Sequence, residues 1–148
     1  MPSEKFDARK DEGNRFLKFA LSLCKAQYEN GRKFVFEHPD GAASWHTPGM
    51  VRLLNRPGVA LAKFDECRFG LKSPVGKKPM RKRTNLMTNC HHTFELFDQK
   101  FCNCGPDVEH QTIEGHEGGV QLSSYASAYP DEMVEALILG ASRSLSES

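Results

Sequence analysis

The chain has 148 residues, 39% hydrophobic and 26% charged, with a net charge of +1, the size and make-up of one globular domain around a single core. No apolar run approaches the roughly 20 residues of a membrane-spanning helix, and Met1-Pro2-Ser3-Glu4-Lys5 has none of the apolar character of a signal peptide. Five cysteines, an odd number, without such a signal lead us to expect reduced thiols and a cytoplasmic or nuclear setting.

Residues 1–12 are polar and read as a flexible N-terminus. From Gly13 to Glu29, Leu17, Ala20, Leu21, Cys24 and Tyr28 form one apolar helical stripe, stopped at Asn30-Gly31. Phe34-Val35-Phe36 reads as a short buried strand that ends on Glu37, His38 and Pro39. Ligands gather at strand carboxyl ends in open α/β sheets, so Glu37 and His38 stand where chemistry is often done; they can equally be solvated residues at a strand end. Thr47-Pro48 starts a short helix with Met50, Val51, Leu53 and Leu54 on its buried face, and Arg56-Pro57-Gly58 ends it. Val59–Phe64 reads as the next strand, joined to the first by what looks like a parallel crossover.

Charge is unevenly placed. Residues 68–83 hold seven Lys and Arg and no acid, whereas 102–119 hold four acids and no Lys or Arg. The basic segment, Arg68, Lys72, Lys77, Lys78, Arg81, Lys82 and Arg83, is a candidate for neutralising nucleic-acid phosphates; the bland alternative is a solvated loop. Within it, Leu71 to Lys82 is loop-like, and Arg83–Thr88 reads as a third strand. A short helix is expected over 93–101 and a loop over 102–128. Tyr129-Pro130-Asp131-Glu132 opens a last helix that Gly140 ends, before a disordered tail over 141–148. The fold class these elements imply is α/β, a partial doubly wound, mostly parallel sheet with helices on its faces, as one domain over 13–140.

Two soft-ligand groups stand out. Cys102-Asn103-Cys104 with His110 and His116 is a candidate tetrahedral zinc set, although Cys-x-Cys is a less usual spacing than Cys-x-x-Cys. Cys90-His91-His92 lies nearby in sequence. Trp45 could stack on a base or pack against the following helix.

Taken in order, Glu37-His38-Pro39, Ser44-Trp45, Asp65-Glu66-Cys67-Arg68-Phe69-Gly70, Arg81-Lys82-Arg83-Thr84, Thr88-Asn89 and Tyr129-Pro130 resemble the second half of the catalytic domain of cytosine-5 DNA methyltransferases. The likeness is closer to methyltransferase-like segments of phages and retroelement polyproteins. It implies that Glu37 binds and helps protonate a flipped cytosine, and that Arg81 or Arg83 supports charge developing on the base. It also implies DNA as a partner and S-adenosylmethionine as cofactor, but only if a complementary half is supplied. The Gly-rich turn that would hold that cofactor and the Pro-Cys nucleophile element do not occur in the sequence.

Two function classes follow. One is a partial, methyltransferase-like domain that keeps the base-binding half, is inactive alone, and docks to a complementary chain or self-associates. The other is a non-enzymatic nucleic-acid-binding module of phage or retroelement origin, with zinc as an optional brace; a phage or retroelement fragment with no present activity is the remaining alternative.

Overall fold

The computed structural model describes residues 2–147. Met1 and Ser148, the end residues of the segments expected to be flexible, lie outside the described residues. Helix α1 spans Pro2–Glu29, well beyond the Gly13 start read from its apolar stripe. Strand β1 (Val35–Pro39) follows, then a 3-10 turn at Ala43–His46 and helix α2 (Pro48–Leu54). Strand β2 (Ala60–Asp65) runs into a second 3-10 turn, Glu66–Phe69, which Gly70 closes in the left-handed conformation at φ 86°. Strand β3 (Arg83–Thr88) and helix α3 (His91–Phe97) come next. The 102–128 stretch contains a two-residue hairpin, β4 (His116–Glu117) and β5 (Val120–Gln121), and one helical turn, α4 (Leu122–Tyr125). Helix α5 (Asp131–Ser146) runs straight through Gly140 and most of the expected tail.

The main sheet has the order β1-β3-β2, and β3 is antiparallel to both neighbours. This corrects the doubly wound, mostly parallel sheet expected from element order. Strands β1 and β2 do run the same way, but they never touch. The later strand β3 inserts between them, with Glu37 opposite Leu86 and Ala62 opposite that same residue. A seven-residue helix between two strands suggested adjacency; it is the third strand, arriving after the basic loop, that takes the central place.

Both faces of the sheet are covered. Because side chains alternate along a strand, Phe36 and Met87 point to one face, where Cys24, Phe34, Trp45, Met50 and Leu53 complete a core under α1 and α2. Ala62, Phe64 and Leu86 point to the other, where they meet Phe69, Phe97 and Met133. The three phenylalanines pack ring to ring, with centroids 4.9–5.3 Å apart, within the range of favourable aromatic pairs. Trp45 is a packing residue. Its ring is buried in the first core and its Nε1 donates to the Pro39 carbonyl at 2.8 Å. A second row on α1, Phe16, Phe19 and Leu23, faces solvent. Among the described residues no helix is long and apolar enough to cross a membrane.

Candidate metal centre and basic hairpin

The end of β2 builds the first half of the site. Asp65 and Glu66 are fully buried there, an expensive placement unless each charge is paired. Arg83 forks onto Asp65, Nε to Oδ1 at 2.6 Å and Nη2 to Oδ2 at 3.1 Å, and lies over the Phe101 ring at 4.5 Å. Burial works to raise the Asp65 carboxyl, but the Arg83 fork and the Cys102 N–H outweigh it and hold it below the usual carboxylate range. Glu66 Oε2 accepts from the Thr84 hydroxyl at 2.8 Å and lies 3.4 Å from Lys82 Nζ. Its Oε1 has no hydrogen-bond partner among the described residues, and burial pushes this carboxyl up.

The chain after α3 then returns along the outer edge of β2. Gln99 N–H donates to Lys63 O, Asp65 N–H to Lys100 O, and Cys102 N–H to Asp65 Oδ2 at 2.9 Å. This edge pairing delivers Cys102 and Cys104 to the turn that carries Cys67. Sulfur atoms of Cys67, Cys102 and Cys104 and a ring nitrogen of His110 all lie within 4.8 Å of one another. Cys102 Sγ is 3.4 Å from His110 Nε2. Three thiols and an imidazole converging on one point are a donor set that could hold a metal ion.

Their acidities show the same crowding. Burial pushes the Cys67 thiol up to about 12, and the neighbouring Cys102 and Cys104 sulfurs add to it. Cys102 goes the other way, to about 6, because the Cys104 N–H and then the Arg81 guanidinium favour its thiolate. Cys104 is raised, first by desolvation and then by Cys102. Three sulfurs this close cannot all carry charge by themselves. A divalent cation among them would remove the conflict by neutralising all three.

Three of the four residues proposed from sequence as metal ligands, Cys102, Cys104 and His110, are therefore brought together. His116 is not: it pairs with Gln121 across the small hairpin and points into solvent. Cys67 takes its place. Cys67 lies 35 residues before Cys102, as 102 − 67 shows, so no local spacing announces it, and only the edge pairing onto β2 joins them.

The basic segment is an ordered hairpin beside this centre. Ser73 N–H donates to Lys78 O and Met80 N–H to Leu71 O, with Lys72 facing Pro79. Glu117 Oε1 accepts from the tip N–H groups of Val75 and Gly76 at 2.7 and 2.9 Å. Gln111 N–H, one residue past His110, donates to Pro79 O at 2.9 Å. The loop that carries Cys102, Cys104 and His110 and the hairpin are thus tied together by backbone.

Its cations have unequal tasks. Arg83 is committed to Asp65, Lys82 to Glu66 and the Ala126 carbonyl (3.0 Å), and Lys78 to Glu109 (3.2 Å). Lys72 and Lys77 are exposed and make no ion pair among the described residues. Arg68 is exposed too, and donates to the neutral Phe101 carbonyl. Arg81 is exposed and lies beside Cys102, whose sulfur raises the pKa of its guanidinium.

Glu37 and Arg83, two of the residues given base-binding roles by resemblance, do not converge. Glu37 pairs with Leu86 and so faces the α3/α5 side, whereas Arg83 alternates to the opposite face of β3. Glu37 instead lies against Tyr129 in an open groove of about 910 Å³ between β1 and α5, walled by Val35, Leu86, Met133 and Leu137. His38 is on the other face, its Nδ1 2.6 Å from Ser44 Oγ. Comparison with protein-family models, with curated proteins and with solved structures finds no match to this chain, so the methyltransferase likeness rests on its motifs alone.

Proposed function

We propose that this chain is a non-enzymatic nucleic-acid-binding module in which a structural zinc ion, held by Cys67, Cys102, Cys104 and His110, braces the basic hairpin. The convergence of those four donors beside Arg81 carries the reading. A Cys₃His set is a closed tetrahedral donor set for zinc, typical of structural sites. Zinc there would tie the end of β2 to the 102–110 loop, and through Gln111 to the hairpin strand at Pro79. Arg68, Lys72, Lys77 and Arg81 are the cations left to meet phosphates. The methyltransferase-derived alternative gains less support, because Glu37 and Arg83 lie on opposite sheet faces.

The test is zinc stoichiometry of the purified chain, read with a colorimetric zinc indicator after thiol modification, alongside fluorescence anisotropy with a single-stranded oligonucleotide. One thiolate-held zinc per chain, released only after thiol modification, and binding that weakens with salt support the reading. A Cys102→Ser, Cys104→Ser chain should lose that thiolate-held zinc and most of the binding. Zinc-free protein that does not take up zinc, or undiminished binding by the double variant, contradicts it.

A further inference from the structure

A second group of metal-ligating side chains lies away from the cysteine centre, where α3 begins and α5 ends. His92 Nε2 is 2.8 Å and His91 Nε2 3.8 Å from the same carboxylate oxygen, Glu147 Oε1. The two imidazole rings lie 4.0 Å apart, centroid to centroid. One ligand atom from each of the three residues falls within 4.8 Å of the others. His92 Nε2 is buried and, despite its nearness to the carboxylate, has no hydrogen bond of acceptable geometry. Its nitrogen therefore points beside Glu147 rather than at it, as expected of two ligands converging on a third body.

The fold explains why these residues meet. Helix α5 approaches α3 closely enough that a Cβ on Gly140 would stand 3.0 Å from the Thr93 Cα. That contact draws the last turns of α5 alongside His91 and His92, and the continuation of the helix to Ser146 presents Glu147 at its end. His91 and Glu147 also line the end of the groove between β1 and α5, next to Cys90, Ser144 and Leu145.

We propose that His91, His92 and Glu147 form a second divalent-metal site, open rather than closed. Two imidazoles and one carboxylate suit borderline cations such as Zn²⁺, Co²⁺ and Ni²⁺. Three protein ligands leave coordination positions free, as in sites that bind an exchangeable fourth ligand. His91 and Glu147 line the groove, so a metal there would hold water or an anionic or nitrogen-donor small molecule at the groove's end. This site is independent of the cysteine centre and stands whether or not that centre takes zinc.

The two centres have different optical signatures, which makes Co²⁺ the probe. The full chain as purified is titrated with Co²⁺ and followed by calorimetry and absorbance. We expect an equivalent of Co²⁺ that adds only weak visible bands and no thiolate-to-cobalt charge transfer in the near ultraviolet. His91→Ala and Glu147→Gln, both at exposed side chains (62% and 57%), should each abolish that equivalent. The helical circular-dichroism signal and any thiolate-bound equivalent should be unchanged. No thiolate-free equivalent, or one that survives in both variants, shows that the three residues form only a surface ion pair and overturns the proposal.

Discussion

Tyr129 is the side chain whose acidity the fold moves most plainly outside the cysteine centre. Although 41% of the residue is exposed, desolvation against the groove wall raises its phenol to about 12, and the nearby Glu37 and Glu66 carboxylates add to that. An ultraviolet titration should find one of the three tyrosines ionising near that value. Glu37→Gln should bring it partly back toward 10, leaving the contribution of desolvation. The linkage has a definite sign. The unfolded chain loses this proton near 10 and the folded chain keeps it, so stability should fall as pH rises through 10 to 12. Gly140 shows how far a single residue escapes sequence reading. It resembles a helix stop, yet it sits inside α5 because only a glycine lets α5 meet Thr93. Gly140→Ala should destabilise by about 1–2 kcal/mol in urea unfolding. Overpacking against the Thr93 backbone, 3.0 Å from the added Cβ, costs about 2–3 kcal/mol, the upper part of the usual range, and better helix propensity returns about 1.

The elements themselves were legible. The strands read at 34–36, 59–64 and 83–88 are β1, β2 and β3 within a few residues, because alternation and turn residues are local signals. Their pairing was not legible. Nothing near residue 36 or 62 says that residues 83–88 will come between them, and the choice is made by two cores that must both be covered. The Arg83 fork is part of that choice. Arg83 looked like a base-binding or phosphate-binding residue within a basic run, but its partner is Asp65, directly across β2 and β3. Arg83→Ala would leave a buried carboxylate unpaired. We expect a loss of about 2–3 kcal/mol, below the 3–5 of a fully buried pair because Arg83 is half exposed. Arg83→Lys should recover only part of it, since an ammonium cannot make the fork. Urea unfolding of the metal-loaded chain measures both, and an Arg83→Ala chain as stable as the parent would contradict this assignment.

At the scale of the molecule, a fold with two conventional cores carries a corner that has little core of its own and whose three thiols and one imidazole could hold a metal ion. Leu71, Met80, Leu122 and Ala126 form a small separate cluster there, too few to order the hairpin and the 102–128 loop without further ties. Metal-ligand bonds contribute folding free energy directly in such segments. Three of the four candidate ligands were visible in sequence as Cys-x-Cys and His110, while Cys67 required the folded edge of β2. Removing the metal should therefore loosen the corner and leave α1, α2 and the sheet folded. Amide exchange should quicken across 71–82 and 102–121 while the β3 amides stay protected.

If metal and nucleic-acid binding are one device, losing the thiolate donors must also change how binding responds to salt. Affinity for a single-stranded oligonucleotide would be measured across salt concentrations for the zinc-loaded chain and for the Cys102→Ser, Cys104→Ser chain. With Arg68, Lys72, Lys77 and Arg81 as the available cations, four charges at about −0.7 each predict a log–log slope no steeper than about −3 for the loaded protein. We expect that slope in the loaded chain and binding weakened at least about tenfold in the variant. A flat salt dependence, or equal binding by the two chains, would contradict the proposed function.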